Sequence, residues 1–286
     1  MKTGVVFPQT EIGSDPQQVR DYILAVEDMG FDFLLAYDHV IGANPDREGS
    51  WKGPYTHEHQ FHEILTLFAY GAAITKNLEF VSGILILPQR STALVAKQTA
   101  QIDILSGGRL RLGVAVGWNQ VEMEALGERF SNRGKRIEEQ VEVLRLLWTN
   151  ELVTYEGKYH KLDNVGINPL PVQRPIPIWF GGYADVVLRR MARIGDGWMP
   201  GGGSLEKAQE EVDKVKRYLA ENGRNYDDFG VDVRLSVSRQ PESEWDKIIT
   251  AWQNMGATHI SMNTMGAGYT SLDEHLATLR KFKRHI

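Results

Sequence analysis

His39 is the side chain best suited to chemistry in this chain. An imidazole gives or takes a proton near neutrality, and Asp38 beside it offers a carboxylate to orient or charge it. Neighbours along a strand point to opposite faces, so an Asp38 turned away would instead accept hydrogen bonds from a nearby loop. His39 alone would equally serve as a satisfied polar residue at a strand end. Gly117-Trp118-Asn119, Gly181-Gly182 and Gly201-Gly202-Gly203 form a second set. Glycine lets a phosphate approach backbone N–H groups with no Cβ in the way, and a helix beginning near Ala184 would aim its positive end at the same spot, although tight turns need such glycines too. Ser82-Gly83-Ile84 is a third candidate, because glycine inside a strand marks a bulge, a ligand lying close to the backbone, or simply close packing. Trp51 and Trp118 are flat walls for a planar ring or fillers of space. His57, His59 and His62 with Glu58 and Glu63 resemble metal ligands by type, but most sit in a polar insertion rather than on rigid elements, so no metal site is expected.

The elements that must position these residues alternate short β-branched runs with amphipathic stretches about eight times along 286 residues. Val5 to Phe7 starts the series, Asp15 and Pro16 open a helix carrying Val19, Tyr22, Ile23 and Val26, and Gly30 ends it. Phe33 to Ala36 is the second strand, followed by a polar stretch from Ile41 to Phe61 that reads as a lid or substrate loop containing Trp51 and Tyr55. A helix from about Glu63 to Thr75, a strand from Phe80 to Leu87, a helix stopped by Gly107-Gly108 and a strand from Leu110 to Val116 come next. A helix follows Asn132, with Ile137, Val141, Leu144 and Trp148 on one face. The stretch Leu152 to Leu162 then alternates around Glu156-Gly157 as an inserted hairpin, within an insertion spanning residues 150–175. Ile176 to Phe180, Trp198-Met199, Val231 to Val237 and Thr258 to Met262 complete eight strands, and Ser271 with Glu274 caps the last helix. The pattern predicts an α/β fold, a (β/α)8 TIM barrel with insertions after strands 2 and 4, forming a single unit over 1–286. In such a barrel Asp38, His39, Gly117, Trp118, Gly181 and Gly182 all reach the face at the C-terminal ends of the strands.

Composition narrows the partners. With 32 Lys+Arg against 37 Asp+Glu the net charge is −5 and no basic cluster stands out, which argues against nucleic acid or an anionic membrane surface. No cysteine is present, so disulfides, thiolate catalysis and Cys-ligated metals are excluded, in keeping with a cytoplasmic protein. No run of about eighteen apolar residues occurs, so membrane spanning is not expected.

Five segments resemble the luciferase-like family of flavin and deazaflavin enzymes: Phe33 to His39 (FLLAYDH), Ser82 to Arg90 (SGILILPQR), Leu105 to Trp118 (LSGGRLRLGVAVGW), Pro175 to Gly182 (PIPIWFGG) and Ile194 to Pro200 (IGDGWMP). They follow the family's order across most of the chain, and the branch they look most like uses the deazaflavin coenzyme F420, with FMN as the alternative. The resemblance implies that the histidine matching His39 lies near the reactive ring. It implies that Asp38, Ser82, Gly83, Ile84, Gly117 and Trp118 contact the coenzyme, with a non-prolyl cis peptide in the Ser82 to Ile84 segment. It also implies that Gly181 and Gly182 meet the phosphate, and that the protein is a homodimer, commonly through helices two and three. Val116 is apolar where some FMN-using relatives have an arginine for the phosphate, and Trp118 stands where some deazaflavin dehydrogenases for sugar phosphates carry a catalytic glutamate.

The reaction this implies is hydride transfer between a deazaflavin and a small organic substrate lying against Trp51 and Tyr55, with His39 exchanging the accompanying proton. Three rivals remain: an FMN-dependent monooxygenase fed by a separate reductase, a flavin-binding protein without turnover, and a metal-dependent hydrolase on the same barrel.

Overall fold

The computed structural model describes residues 1–286. In chain order the first elements are β1 (Lys2–Val6), α1 (Pro16–Asp28), β2 (Phe33–Ala36), α2 (Ile64–Ile74), β3 (Glu79–Ser82), β4 (Leu85–Ile86) and α3 (Thr92–Ser106). They continue with β5 (Leu110–Ala115), α4 (Gln120–Ala125), α5 (Arg133–Thr149), β6 (Val153–Glu156), β7 (Lys161–Val165) and β8 (Ile178–Gly181). The last are α6 (Asp185–Ile194), β9 (Gly197–Met199), α7 (Leu205–Glu221), β10 (Gly230–Ser236), α8 (Trp245–Asn254), β11 (His259–Asn263) and α9 (Leu272–Phe282).

The parallel strands pair in the order β3-β2-β1-β11-β10-β9-β8-β5-β4, and β3 also pairs with β5, which closes the ring. Counting β3 and β4 as two halves of one stave gives eight staves, a (β/α)8 TIM barrel of the α/β class. Each stave alternates. In β10, Val231, Val233 and Leu235 face outward into the large apolar layer between strands and helices, leaving Asp232, Arg234 and Ser236 on the inner face. A small inner plug of Val6, Phe33, Leu35, Val81, Trp179, Met199 and Met265 fills the barrel itself.

Local chemistry explains the boundaries. Asp15 accepts from the Gln17 N–H at 2.9 Å with Pro16 at the first helical position, Glu63 caps α2 through the Thr66 N–H at 2.7 Å, and Ser271 with Glu274 forms a capping box. No helix is long and apolar enough to cross a membrane.

Three expectations are corrected. The strand expected from Phe80 to Leu87 is broken at Gly83-Ile84, resumes for two residues as β4 and ends in a 3-10 turn at Leu87–Gln89. A helix unseen in the sequence pattern, α4, follows the fourth stave; its six residues are too few to show a 3.6-residue period. The hairpin is real and follows α5 as expected, but its second strand runs on to Val165.

Candidate active site

The C-terminal ends of the staves surround a cavity of about 1290 Å³, lined by His39, Tyr37, Tyr55, Gly83, Ile84, Gly117, Trp118, Gly181 and Gly182 among others. Residues far apart in the chain therefore share one space. A smaller cavity of about 600 Å³ opens at the opposite end of the barrel. There the charges bind one another: Lys2 with Glu79 at 3.2 Å, and Arg111 with Glu79 at 2.7 Å and with Asp232 at 2.9 Å. That pattern belongs to a structural plug, in keeping with the stability role of a barrel's N-terminal face.

His39 is held by a residue that the sequence reading missed. Its Nδ1 lies 2.9 Å from Oε2 of Glu122, the third residue of α4, whose side chain is fully buried. A carboxylate only accepts, so Nδ1 carries the hydrogen, and the ring's other nitrogen, Nε2, makes no hydrogen bond within the protein. The other carboxylate oxygen, Oε1, takes the Val40 N–H at 2.6 Å and the Ile41 N–H at 3.3 Å, while Asn119 Nδ2 donates to Oε2 at 3.3 Å. Burial alone would push the Glu122 carboxyl up, but the His39 ring and the Val40 N–H hold it below the ordinary carboxylate range. A sequence signal existed: Asn119 caps α4 by accepting from the Glu122 N–H at 3.1 Å, and Asn-x-x-Glu after a strand end marks a helix start.

Asp38, expected on the coenzyme, is placed differently. It lines the cavity, but its carboxylate is taken up by the broken third stave, accepting from the Ile86 N–H at 2.9 Å and from Arg90 at 2.6 Å. Burial raises its carboxyl, with Arg90 opposing. Arg90 also reaches Glu63 at 3.1 Å, so a single guanidinium ties both ends of the long loop between β2 and α2. That geometry assigns Asp38 to the loop-acceptor reading left open by the sequence.

Gly83 and Ile84 form the kink, and their peptide is cis. A Cβ on Gly83 would sit 2.2 Å from Leu35 Cδ2, and one on Gly181 would sit 2.7 Å from Ile84 Cγ2, so packing demands glycine at both. Ser82 points elsewhere: it is fully buried and its hydroxyl donates to the Gly113 carbonyl at 2.8 Å, away from the cavity. Gly182 has a φ of +131°, its N–H bonds to the Met199 carbonyl at 3.3 Å and its carbonyl accepts from Trp198 at 2.7 Å. Its N–H is thus engaged, and the Asp185 and Val186 N–H groups at the start of α6, whose N-cap Ala184 offers no side-chain cap, are free donors nearby.

An aromatic wall encloses His39. Tyr55, Phe61 and Trp118 rings lie 4.9, 4.8 and 5.7 Å from its centroid. Trp51 does not line the cavity; it lies against the outer side of Trp118 at 5.8 Å, and its indole N–H holds the Tyr55 carbonyl at 2.7 Å. The loop histidines do not converge: His59 Nδ1 accepts from the Thr56 N–H, and His62 meets the Gly13 carbonyl at 3.0 Å.

Such an arrangement can hold a flat ligand against the Gly83-Ile84 kink and present a bare imidazole nitrogen to it. Comparison with known proteins gives the chain's relatives. A family profile described as luciferase-like monooxygenase matches residues 1–281. The FMNH(2)-dependent dimethylsulfone monooxygenase of Pseudomonas putida is 34% identical over 64% of this chain and 51% of its own length. The F420-dependent glucose-6-phosphate dehydrogenase of Segniliparus rotundus is 30% identical over 80% of this chain and 66% of its own. Among solved structures, an F420-dependent secondary alcohol dehydrogenase in complex with an F420-acetone adduct superposes with a TM-score of 0.81 at 17% identity, covering 100% of this chain and 98% of that one, which establishes the shared fold.

Proposed function

Because the chain belongs to the luciferase-like monooxygenase family, we propose that it is an oxidoreductase that transfers a hydride between bound F420 and a small organic substrate. The observation carrying this reading is the meeting, in one cavity, of an imidazole with a bare Nε2 and the kinked Gly83-Ile84 segment. About 1290 Å³ exceeds the roughly 300–1,000 Å³ of ordinary ligand sites, leaving room for a tricyclic coenzyme with a substrate beside it. When bound, the deazaflavin supplies a ring carbon that takes or gives two electrons as hydride.

The chain's own residues do the rest. Gly83 and Ile84 form a back wall, and Trp118, Tyr55 and Phe61 exclude water around His39. His39 Nε2 accepts the proton that a substrate hydroxyl releases, or returns it in the reverse direction, while Glu122 balances the charge that arrives on the imidazole. The first turn of α6, the Gly201-Gly202-Gly203 loop and the nearby Arg239 would hold the phosphate. The loop from Ile41 to Phe61 would close over the substrate, and a homodimer is the expected assembly.

A second reading has support of its own. The relative with 34% identity uses FMNH(2), so an FMN-dependent monooxygenase supplied by a separate reductase is the alternative. Separate fluorescence titrations with FMN and F420 test the two. F420 binding the tighter supports hydride transfer; tighter FMN binding, with oxygen consumed when reduced FMN is supplied, replaces it with the monooxygenase.

A further inference from the structure

Arg234 is a cation without a counter-ion. It stands on the inner face of β10, lines the cavity and has no carboxylate within ion-pair distance. The nearest acidic neighbour on the same face, Asp232, is bound to Arg111 at 2.9 Å. What surrounds the guanidinium is a set of dipoles and a ring. Nη1 faces the Gly83 carbonyl and Nη2 the Pro200 carbonyl, both at 3.4 Å, and Cζ stands 5.7 Å from the Tyr37 ring centroid. Tyr37 and Ile84 both pack against the small inner cluster. Arg234 is therefore fixed to the same kinked segment that forms the back wall. Arg239 lies near the mouth on the same side, and both arginines act against burial on the Tyr37 and Tyr55 phenols. Glu11, Glu206 and Glu244 also line the cavity, but none of them forms an ion pair with Arg234, while Asp38 is bound by Arg90 and Glu122 by its own donors.

A half-buried guanidinium held by two long hydrogen bonds to carbonyls retains most of its capacity to stabilise an anion. Adding a hydride to a flavin or deazaflavin ring brings two electrons and one proton, so whatever charge the oxidised ring carries becomes one unit more negative unless a further proton follows. The substrate that gave the hydride loses its hydroxyl proton to His39, and charge balances overall. Resting on the coenzyme reading above, we infer that Arg234 makes this cavity favour the reduced form of its coenzyme, with its additional negative charge, over the oxidised form.

The test measures Kd for oxidised and reduced F420 and FMN under anaerobic conditions by isothermal titration, for the wild-type protein and for R234Q, R234K and R239Q. The wild type is expected to bind the reduced form of its coenzyme at least tenfold more tightly than the oxidised form, which for a two-electron couple raises the bound potential by about 30 mV. R234Q is expected to lose that ratio with a far smaller change in oxidised-form affinity. R234K, which keeps the charge without the fork, retains most of it, and R239Q changes it less than R234Q does. Equal wild-type affinity for the two states overturns the inference without requiring any variant to fold. Parallel weakening of both states in R234Q also overturns it, leaving Arg234 as a prop for Gly83. An R234Q protein that keeps the ratio but loses affinity for an anionic substrate assigns the guanidinium to substrate instead and overturns it as well. Failure of the wild type to bind either coenzyme in either state is a different result, since it removes the coenzyme reading itself.

Discussion

Replacing Glu122 by glutamine removes one negative charge from a fully buried side chain while keeping its shape. The carboxylate accepts from His39 Nδ1 at 2.9 Å and from the Val40 N–H at 2.6 Å, both short enough to be charge-assisted. A hydrogen bond to a charged group contributes about 1.5–3 kcal/mol net. If the His39 bond strengthens by that amount when the imidazole takes up a proton, its loss raises the barrier equally and lowers kcat about 10- to 150-fold. Coenzyme affinity should stay within about twofold, because uniform binding is untouched. The assay is single-turnover reduction of bound coenzyme by a substrate found in a panel screen, read alongside coenzyme titration.

Stability gives an independent reading with a definite sign. The folded Glu122 carboxyl ionises below the ordinary carboxylate range, so its contribution is complete above that range and disappears as pH falls through the folded value. Urea unfolding should therefore show E122Q less stable than wild type at pH 7, with the gap narrowing in acid. An E122Q enzyme with unchanged kcat, or one whose loss of turnover is matched by loss of coenzyme binding, refutes the positioning role.

The same geometry fixes other outcomes. H39A should cut turnover while leaving coenzyme affinity nearly intact; unchanged single-turnover rates would remove His39 from proton exchange. Gly83→Ala places a Cβ 2.2 Å from Leu35 in the packed interior, and overpacking of that kind costs about 1–3 kcal/mol, so calorimetry should show a lower Tm, at ~2–4 °C per kcal/mol in a chain of this size. Burial, with Arg111 and Lys2 nearby, drops the His259 imidazole to about 2, so the folded protein keeps it neutral while the unfolded chain protonates it below its ordinary value near 6.5. Folding then loses about 1 kcal/mol on going to pH 5.5, and H259Q should unfold with that much less acid sensitivity; identical pH slopes would contradict it. Trp118→Ala opens the wall beside His39 and should raise substrate KM more than coenzyme Kd, which steady-state kinetics with direct titration will separate.

Much of the barrel is written in local rules that act over a few residues. Asp15-Pro16 and Ser271 with Glu274 announce helix starts because they satisfy backbone donors that any helix leaves open, and the structure uses them that way. His39 was legible because a titratable ring at a strand end stands out by type. Glu122 was not, since α4 is too short for periodicity and its partner lies 83 residues away in the chain. Arg234 sat within a visible alternation, Val231-Asp232-Val233-Arg234-Leu235, yet polar residues on one face of a strand ordinarily mean solvent. Only closure of the barrel turns that face into the floor of a cavity. The direction of Ser82, whose hydroxyl bonds to the Gly113 carbonyl, was not legible, because it depends on where the third stave kinks.

A crystal structure with F420 bound would show directly where the coenzyme ring lies. The deazaflavin ring is expected against Gly83 and Ile84, with His39 Nε2 facing its reactive edge and the aromatic wall closing over it. Density for the ring in the cavity bounded by Lys2, Trp179 and His259 at the opposite end of the barrel, or outside both cavities, would contradict it.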